Sequence, residues 1–291
     1  MNRFFSVSII TLTILLTPGC SLIKSEHTSG SNEHITASTH DDSHAMTDRN
    51  INEGEKESDS VTTQAKLTIP PNIKSQTPVP LVIDIQDKEG KPIAKFQTFQ
   101  EQLMHLIVVS EELDFFNHIH PTYKENGRFE VETNFPKSGN YTLFSDYQPA
   151  GGKERVSVLK AQIPGTNPSP AKIDLNLAKT FGDTKVSLTF SQPSLKVRQD
   201  VTLMFDLRDT ATNQPITDLQ PYLGERGHLV IIKQSSPLTK ADYIHAHAVK
   251  DSPAGKVDFM THFSRPGKYK VWGQFNRNGK IITADFWIDV I

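Results

Sequence analysis

The sequence predicts an all-β chain in which two tandem β-sandwich domains follow a signal peptide and a disordered tether. Three observations carry that prediction. The chain is 291 residues long, which at roughly 150 residues per domain allows about two domains. Beyond residue 64 it repeats one series of blocks, the first thing to look for in any chain. Within each copy, short β-branched and aromatic runs are broken by Pro, Gly, Asn and Asp turns, without a helical period. Such turns every 8 to 12 residues or so are the mark of an all-β sandwich.

Composition removes several classes at once. With 36% hydrophobic and 22% charged residues the chain is neither collagen-like, wholly disordered nor a polytopic membrane protein. Thirty-one Lys plus Arg against thirty-three Asp plus Glu leave a net charge of -2, with no basic block, which argues against nucleic acid as a partner. The one cysteine, Cys20, excludes an intrachain disulfide, a thiolate zinc cluster and a blue-copper site with its Cys ligand. Stability must come from packing.

Residues 1–19 read as a signal peptide: one charge at Arg3 precedes the apolar run Phe4 to Thr17, too short for a bilayer-spanning helix of about 20 residues. The run ends in Leu16-Thr17-Pro18-Gly19-Cys20, which resembles the cleavage box of bacterial lipoproteins and implies lipidation of Cys20. The other reading is an ordinary signal peptide with an incidental cysteine. Under both, the mature protein works outside the cytoplasm, and an acyl chain would anchor it to a membrane, in the periplasm or at the cell surface. Residues 20–63 are a polar tether with few aliphatic residues and no aromatic ones, unable to bury enough surface to order itself. Its His27, His34, His40 and His44 either collect cations loosely or are incidental to a spacer.

The first repeat spans 64–165 and the second 183–291. Leu81-Val82-Ile83-Asp84-Ile85 matches Leu203-Met204-Phe205-Asp206-Leu207, and Gly127-Arg128-Phe129 matches Gly255-Lys256-Val257. Gly139-Asn140-Tyr141 matches Gly267-Lys268-Tyr269, a Gly-x-Tyr resembling the tyrosine corner of immunoglobulin-like domains. About 100 residues per copy suit seven strands. The Pro-containing segment 166–182 is a linker that can add a strand to the second repeat.

Histidine is where the repeats become chemical. Of seven histidines beyond the tether, six fall at matched positions: His105, His118 and His120 in the first copy, His228, His245 and His247 in the second. His262 faces Asn134 in the alignment and has no counterpart. A His-x-His in a strand sets both imidazoles on one face, about 6.5 to 7 Å apart at the backbone. The third histidine opens the preceding strand, so a hairpin would lay His105 beside His120 and His228 beside His247; whether each trio shares a face depends on register. Three converging neutral imidazoles suit Cu(II), Zn(II) or Ni(II). Met104 adds a thioether next to His105, a soft ligand for Cu(I), where the second copy has Gly227. The competing readings are histidines that decorate a solvated strand or fill a hydrogen-bonded niche, and a pH sensor. Catalysis finds no support: Asp146 faces Gln274 in the alignment, Asp114 has no partner there, and no Gly-x-Ser-x-Gly elbow is present. The chain reads as a non-enzyme.

The strings His105-Leu106-Ile107-Val108-Val109, His118-Ile119-His120-Pro121, Gly227-His228-Leu229-Val230 and Tyr269-Lys270-Val271-Trp272 resemble those of bacterial extracytoplasmic proteins with YtkA-like or FixH-like β-sandwich repeats. The resemblance implies metal handling at the cell envelope, copper in particular, with the six matched histidines as ligands. The expectation is a membrane-anchored envelope protein that binds a copper or zinc ion through three histidines in each repeat. It would buffer the metal or deliver it to a transporter or another envelope protein. The alternative is a structural or adhesive module making protein–protein contacts.

Overall fold

The computed structural model describes residues 62–166, 168–250 and 252–291. The signal peptide at 1–19, the lipidation site Cys20 and nearly all of the 20–63 tether lie outside the described residues. Within them the chain is built from strands.

The first repeat contains β1 (Thr63–Thr68), β2 (Pro78–Asp87), β3 (Phe96–Gln97), β4 (Met104–Ser110), β5 (Phe116–Ile119), β6 (Thr122–Tyr123), β7 (Arg128–Asn134), β8 (Gly139–Pro149) and β9 (Arg155–Ile163). One sheet runs β1-β2-β7-β6; in the other β8 lies between β9 and β4, β4 pairs with β5, and β3 pairs with the end of β8. The second repeat contains β10 (Ala178–Phe181), β11 (Thr184–Phe190), β12 (Asp200–Asp209), β13 (Leu219–Gln220), β14 (His228–Lys233), β15 (Tyr243–His247), β16 (Lys256–His262), β17 (Gly267–Arg277) and β18 (Lys280–Val290). It has the same two-sheet plan, β11-β12-β16 facing β18-β17-β14-β15, and β10 extends the first of these sheets beyond β11. All ladders between these strands are antiparallel.

Alternation makes each sandwich. In β2, Val79, Leu81, Ile83 and Ile85 are buried and the residues between them face outward; in β12, Val201, Leu203, Phe205 and Leu207 do the same. The turns after these strands are closed by Asp87 and Asp209, whose carboxylates accept backbone N–H groups two to four residues on, as aspartate does in turns. Gly127 and Gly255 enter β7 and β16 with φ of 76° and 75°, conformations open to glycine, and each carbonyl accepts the matching N–H, from Ile85 or Leu207. Both tyrosine corners close: Tyr141 Oη donates to the Lys137 carbonyl at 2.9 Å and Tyr269 Oη to that of Arg265 at 2.6 Å.

Two of the strands that carry histidine, β4 and β14, are buried on both faces. In β4, Met104, Leu106 and Val108 enter the first repeat's own core, while Ile107 and Val109 point the other way. In β14, Leu229 and Ile231 face the second core, and Val230 and Ile232 point away from it. The outward sets meet each other. Ile107, Val109 and Phe144 pack against Val230, Ile232, Trp272 and Trp287 in a third apolar cluster that joins the two repeats face to face. The contact is pseudo-two-fold. Phe116 stacks on Trp272 at 4.8 Å, and Tyr243 and Phe144, which occupy the equivalent positions with the repeats exchanged, stack at the same 4.8 Å.

Candidate metal centre

Period-two alternation decides where the histidines go. His105 shares its face of β4 with Ile107 and Val109, and His228 shares its face of β14 with Val230 and Ile232, so both look into the joint between the repeats. Opposite them, β5 pairs Ile107 with His118, and β15 pairs Val230 with His245 and His228 with His247. Since cross-strand partners share a face, all six matched histidines stand on the side turned toward the other repeat. The sequence led us to expect two separate sites; the structure makes one contiguous imidazole cluster. The rings of His118 and His228 lie 4.4 Å apart across the joint, and those of His105 and His228 stack at 6.0 Å.

The first trio is the compact one. His105, His118 and His120 each offer a ring nitrogen within 4.8 Å of the others. Their ring centres are 4.8, 5.1 and 5.3 Å apart, close to the ~5 Å expected for imidazoles sharing one tetrahedral ion at about 2 Å. The hydrogen bonds around them determine which nitrogens carry protons. His105 Nε2 lies 3.1 Å from the Phe99 carbonyl, which can only accept, so Nε2 bears the hydrogen and Nδ1 is bare. His118 Nδ1 lies 2.8 Å from Gln274 Oε1, again an acceptor, which leaves Nε2 bare. These two bare nitrogens face each other at 3.1 Å. Two lone pairs at that distance repel unless a proton or a metal ion lies between them, and ~3.3 Å is the nitrogen–nitrogen edge of a tetrahedral zinc or copper site. His120 Nε2 is buried and has no hydrogen-bond partner.

Burial keeps the rings neutral and so available as ligands. Loss of solvent pushes the His105 pKa down to about 3, against a partial upward pull from its bond to Phe99. It lowers His118 and His228 well below the ordinary histidine value, with the neighbouring imidazoles adding to the effect. His120 is lowered by burial alone.

The second trio is arranged differently. His228 is 3% exposed with neither ring nitrogen partnered. His245 Nδ1 is 3.3 Å from Asp146 Oδ2 of the first repeat, and its Nε2 is buried without a partner. His247 is exposed, its Nδ1 accepts from Gln100 Nε2 at 2.9 Å, and its ring stacks on that of His245. The proton of a neutral His247 therefore sits on Nε2, and this ring offers no free lone pair.

Four other residues that the sequence brings forward play no part in the cluster. Met104 points into the first repeat's own core and accepts a hydrogen bond from Ser145 Oγ at 3.4 Å. Being adjacent to His105 in a strand places it on the opposite face, which corrects the expectation of a thioether ligand. Gly227 is small for a packing reason: a Cβ there would meet the rings of Phe275 at 3.0 Å and Phe259 at 3.2 Å. His262 is exposed on β16, in the other sheet. Asp114 serves its own turn, bonded to Ser110 and paired with Lys137.

Residue-by-residue reading of the sequence overlooked the roles of Asp146 and Gln274. Each comes from the repeat opposite the histidine that it orients, in the manner of the outer partners that hold metal-bound imidazoles. The signal was present: the two occupy equivalent positions, one on β8 and one on β17, two residues past Phe144 and Trp272.

The family described as "Domain of unknown function (DUF8832)" matches the chain twice, over residues 57–164 and 179–291. The chain belongs to that family. As the DUF8832 match falls once on each sandwich, the repeat is a family unit carried in duplicate. Among curated proteins none matches. Solved structures similar to this DUF8832 chain include the Escherichia coli adhesin FdeC, 16% identical over 80% of this chain and 65% of that one, with a TM-score of 0.26. A two-domain fibronectin type III segment of chicken tenascin is 10% identical, covering 78% and 98%, with a TM-score of 0.24. Salmonella alpha-2-macroglobulin reacted with methylamine is 12% identical, covering 80% and 17%, with a TM-score of 0.28. The chain thus spans less than two thirds of the adhesin and of the macroglobulin.

Proposed function

We propose that the protein binds a transition-metal ion at His105 Nδ1, His118 Nε2 and His120, and that it buffers or delivers that metal at the cell envelope. The observation that carries this reading is the pair of bare imidazole nitrogens facing each other at 3.1 Å, each fixed by a hydrogen bond on the far side of its ring. Three neutral nitrogens, two of them on buried rings, favour Cu(II), Cu(I) or Zn(II) over Mg(II) or Ca(II), which take oxygen ligands. Among these we favour copper, in keeping with the resemblance to YtkA-like and FixH-like envelope proteins. Lipidation at Cys20 would hold the protein at a membrane surface, where residues 20–63 would give the sandwiches reach toward a transporter.

Titration of the protein with Cu(II) and with Zn(II) tests the reading. Saturable binding at micromolar or tighter affinity is expected, with a His118→Gln variant weakened at least a hundredfold. Binding no tighter than millimolar in the unaltered protein removes the proposal.

A further inference from the structure

The orphaned polar atoms of the cluster do not end with the first trio. His228 Nδ1, His228 Nε2 and His245 Nε2 are all buried and without partners. Buried polar atoms are nearly always satisfied, and here three of them belong to two rings 4.5 Å apart, a spacing at which two imidazoles reach one ion in a cis arrangement. Asp146 accepts from His245 Nδ1, which leaves the lone pair on Nε2. That is the carboxylate–histidine arrangement found behind metal-bound imidazoles.

We infer that His228 and His245, with Asp146 behind His245, form a second ion-binding subsite beside the first, so that the chain holds two transition-metal ions. The inference rests on the metal-binding reading above and adds a second ion to it. The subsite takes a borderline divalent cation, Cu(II) or Zn(II), on two nitrogens, with solvent completing its shell, because His247 has its Nδ1 occupied by Gln100. It is therefore the weaker of the two. Its one anionic group is Asp146, which is 2% exposed and occupies the place that neutral Gln274 takes behind His118. A buried carboxylate at this point offsets the repulsion that a second cation feels from the first. The subsite belongs to neither repeat alone: β14 and β15 supply the ligands, and β8 of the first repeat supplies the charge.

The experiment is a Zn(II) titration of the full chain, with Cu(II) electron paramagnetic resonance as a second readout. His27, His34, His40 and His44 are replaced by Ala so that they do not contribute ions. Two equivalents should bind in distinct steps, and two Cu(II) ions should give a broadened, magnetically coupled spectrum. His245→Gln should abolish the weaker step and the coupling while leaving the tighter step unchanged, and Asp146→Asn should weaken the second step 10- to 100-fold. Asp146→Asn also keeps the test decisive should His245→Gln fail to fold. One equivalent with an uncoupled spectrum overturns the second subsite and leaves the first intact; no binding overturns both. If Asp146→Asn leaves the second step unchanged, or His245→Gln removes the tighter step from a folded protein, the assignment of residues to subsites is wrong.

Discussion

Replacing Trp272 by Ala asks whether the third apolar cluster holds the two repeats together. Trp272 is 3% exposed, and its ring lies 4.8 Å from Phe116 of the other repeat with the planes 17° apart. Truncating a buried Trp costs ~3–5 kcal/mol. At a shift of ~2–4 °C per kcal/mol for chains of this size, the melting temperature should fall by about 6–20 °C. Part of that loss belongs to the stacked pair itself, about 0.5–1.5 kcal/mol beyond area burial. Phe116→Ala in the Trp272→Ala background should therefore cost less than in the intact protein by that amount. The matching cycle on Phe144 and Tyr243 should return a similar coupling, since the two stacks are related by the pseudo-two-fold. Urea denaturation followed by far-UV circular dichroism measures all of these. Additivity within ~0.3 kcal/mol together with a Trp272→Ala cost below ~1 kcal/mol would refute the argument that the repeats are packed through this layer.

Metal-free protein should lose stability on acidification. The unfolded chain takes up a proton on His105 near pH 6.5 while the folded form resists until about 3, so the contribution is complete above 6.5 and falls by roughly 1.4 kcal/mol per pH unit below it; a urea midpoint that is flat or higher at pH 5 than at pH 7.5 contradicts this. Met104→Leu should leave metal affinity within about twofold, because the thioether faces the core; a tenfold loss in a Cu(I) competition assay would place it in the site. Tyr141→Phe and Tyr269→Phe should each cost ~1 kcal/mol for the lost corner hydrogen bond, read as a shift in urea midpoint without a change in metal binding. Gln274→Leu should weaken the tighter metal step by about 10- to 100-fold through loss of the His118 orientation, and Gln274→Glu should restore it; equal affinity in all three proteins would remove that role.

Much of the fold is legible in the residues. The paired blocks, the alternation in β2 and β12 and the two Gly-x-Tyr corners translate directly into two sandwiches of the same plan, and His105 and His228 stand at or next to the first residue of their strands, close to where the hairpin argument places them. What a single-strand pattern cannot show is the second buried face of β4 and β14. Their runs, His105 to Val109 and His228 to Ile232, are apolar at every position between the histidine and the last valine or isoleucine, which is the mark of a strand covered on both sides. Nothing local says that the covering layer is the other repeat. For that reason the histidines were legible as two trios, and their merger across the joint was not. Met104 was misplaced for a simpler reason, that neighbours in a strand point to opposite faces. Asp146 and Gln274 stay hidden because their chemistry acts only on the histidines of the opposite repeat.

The paired stacks Phe116–Trp272 and Tyr243–Phe144 describe an isologous contact, the geometry by which two identical subunits form a homodimer. A homodimer of single repeats would have to carry the same residue at both symmetry-related places. Joining both halves in one polypeptide lifts that obligation: one histidine can be backed by an amide and its twin by a carboxylate. The covalent connection between 163 and 178 also fixes the concentration of each half as seen by the other. Assembly therefore does not depend on how much protein is present, and divergence of the two halves carries no cost in self-recognition.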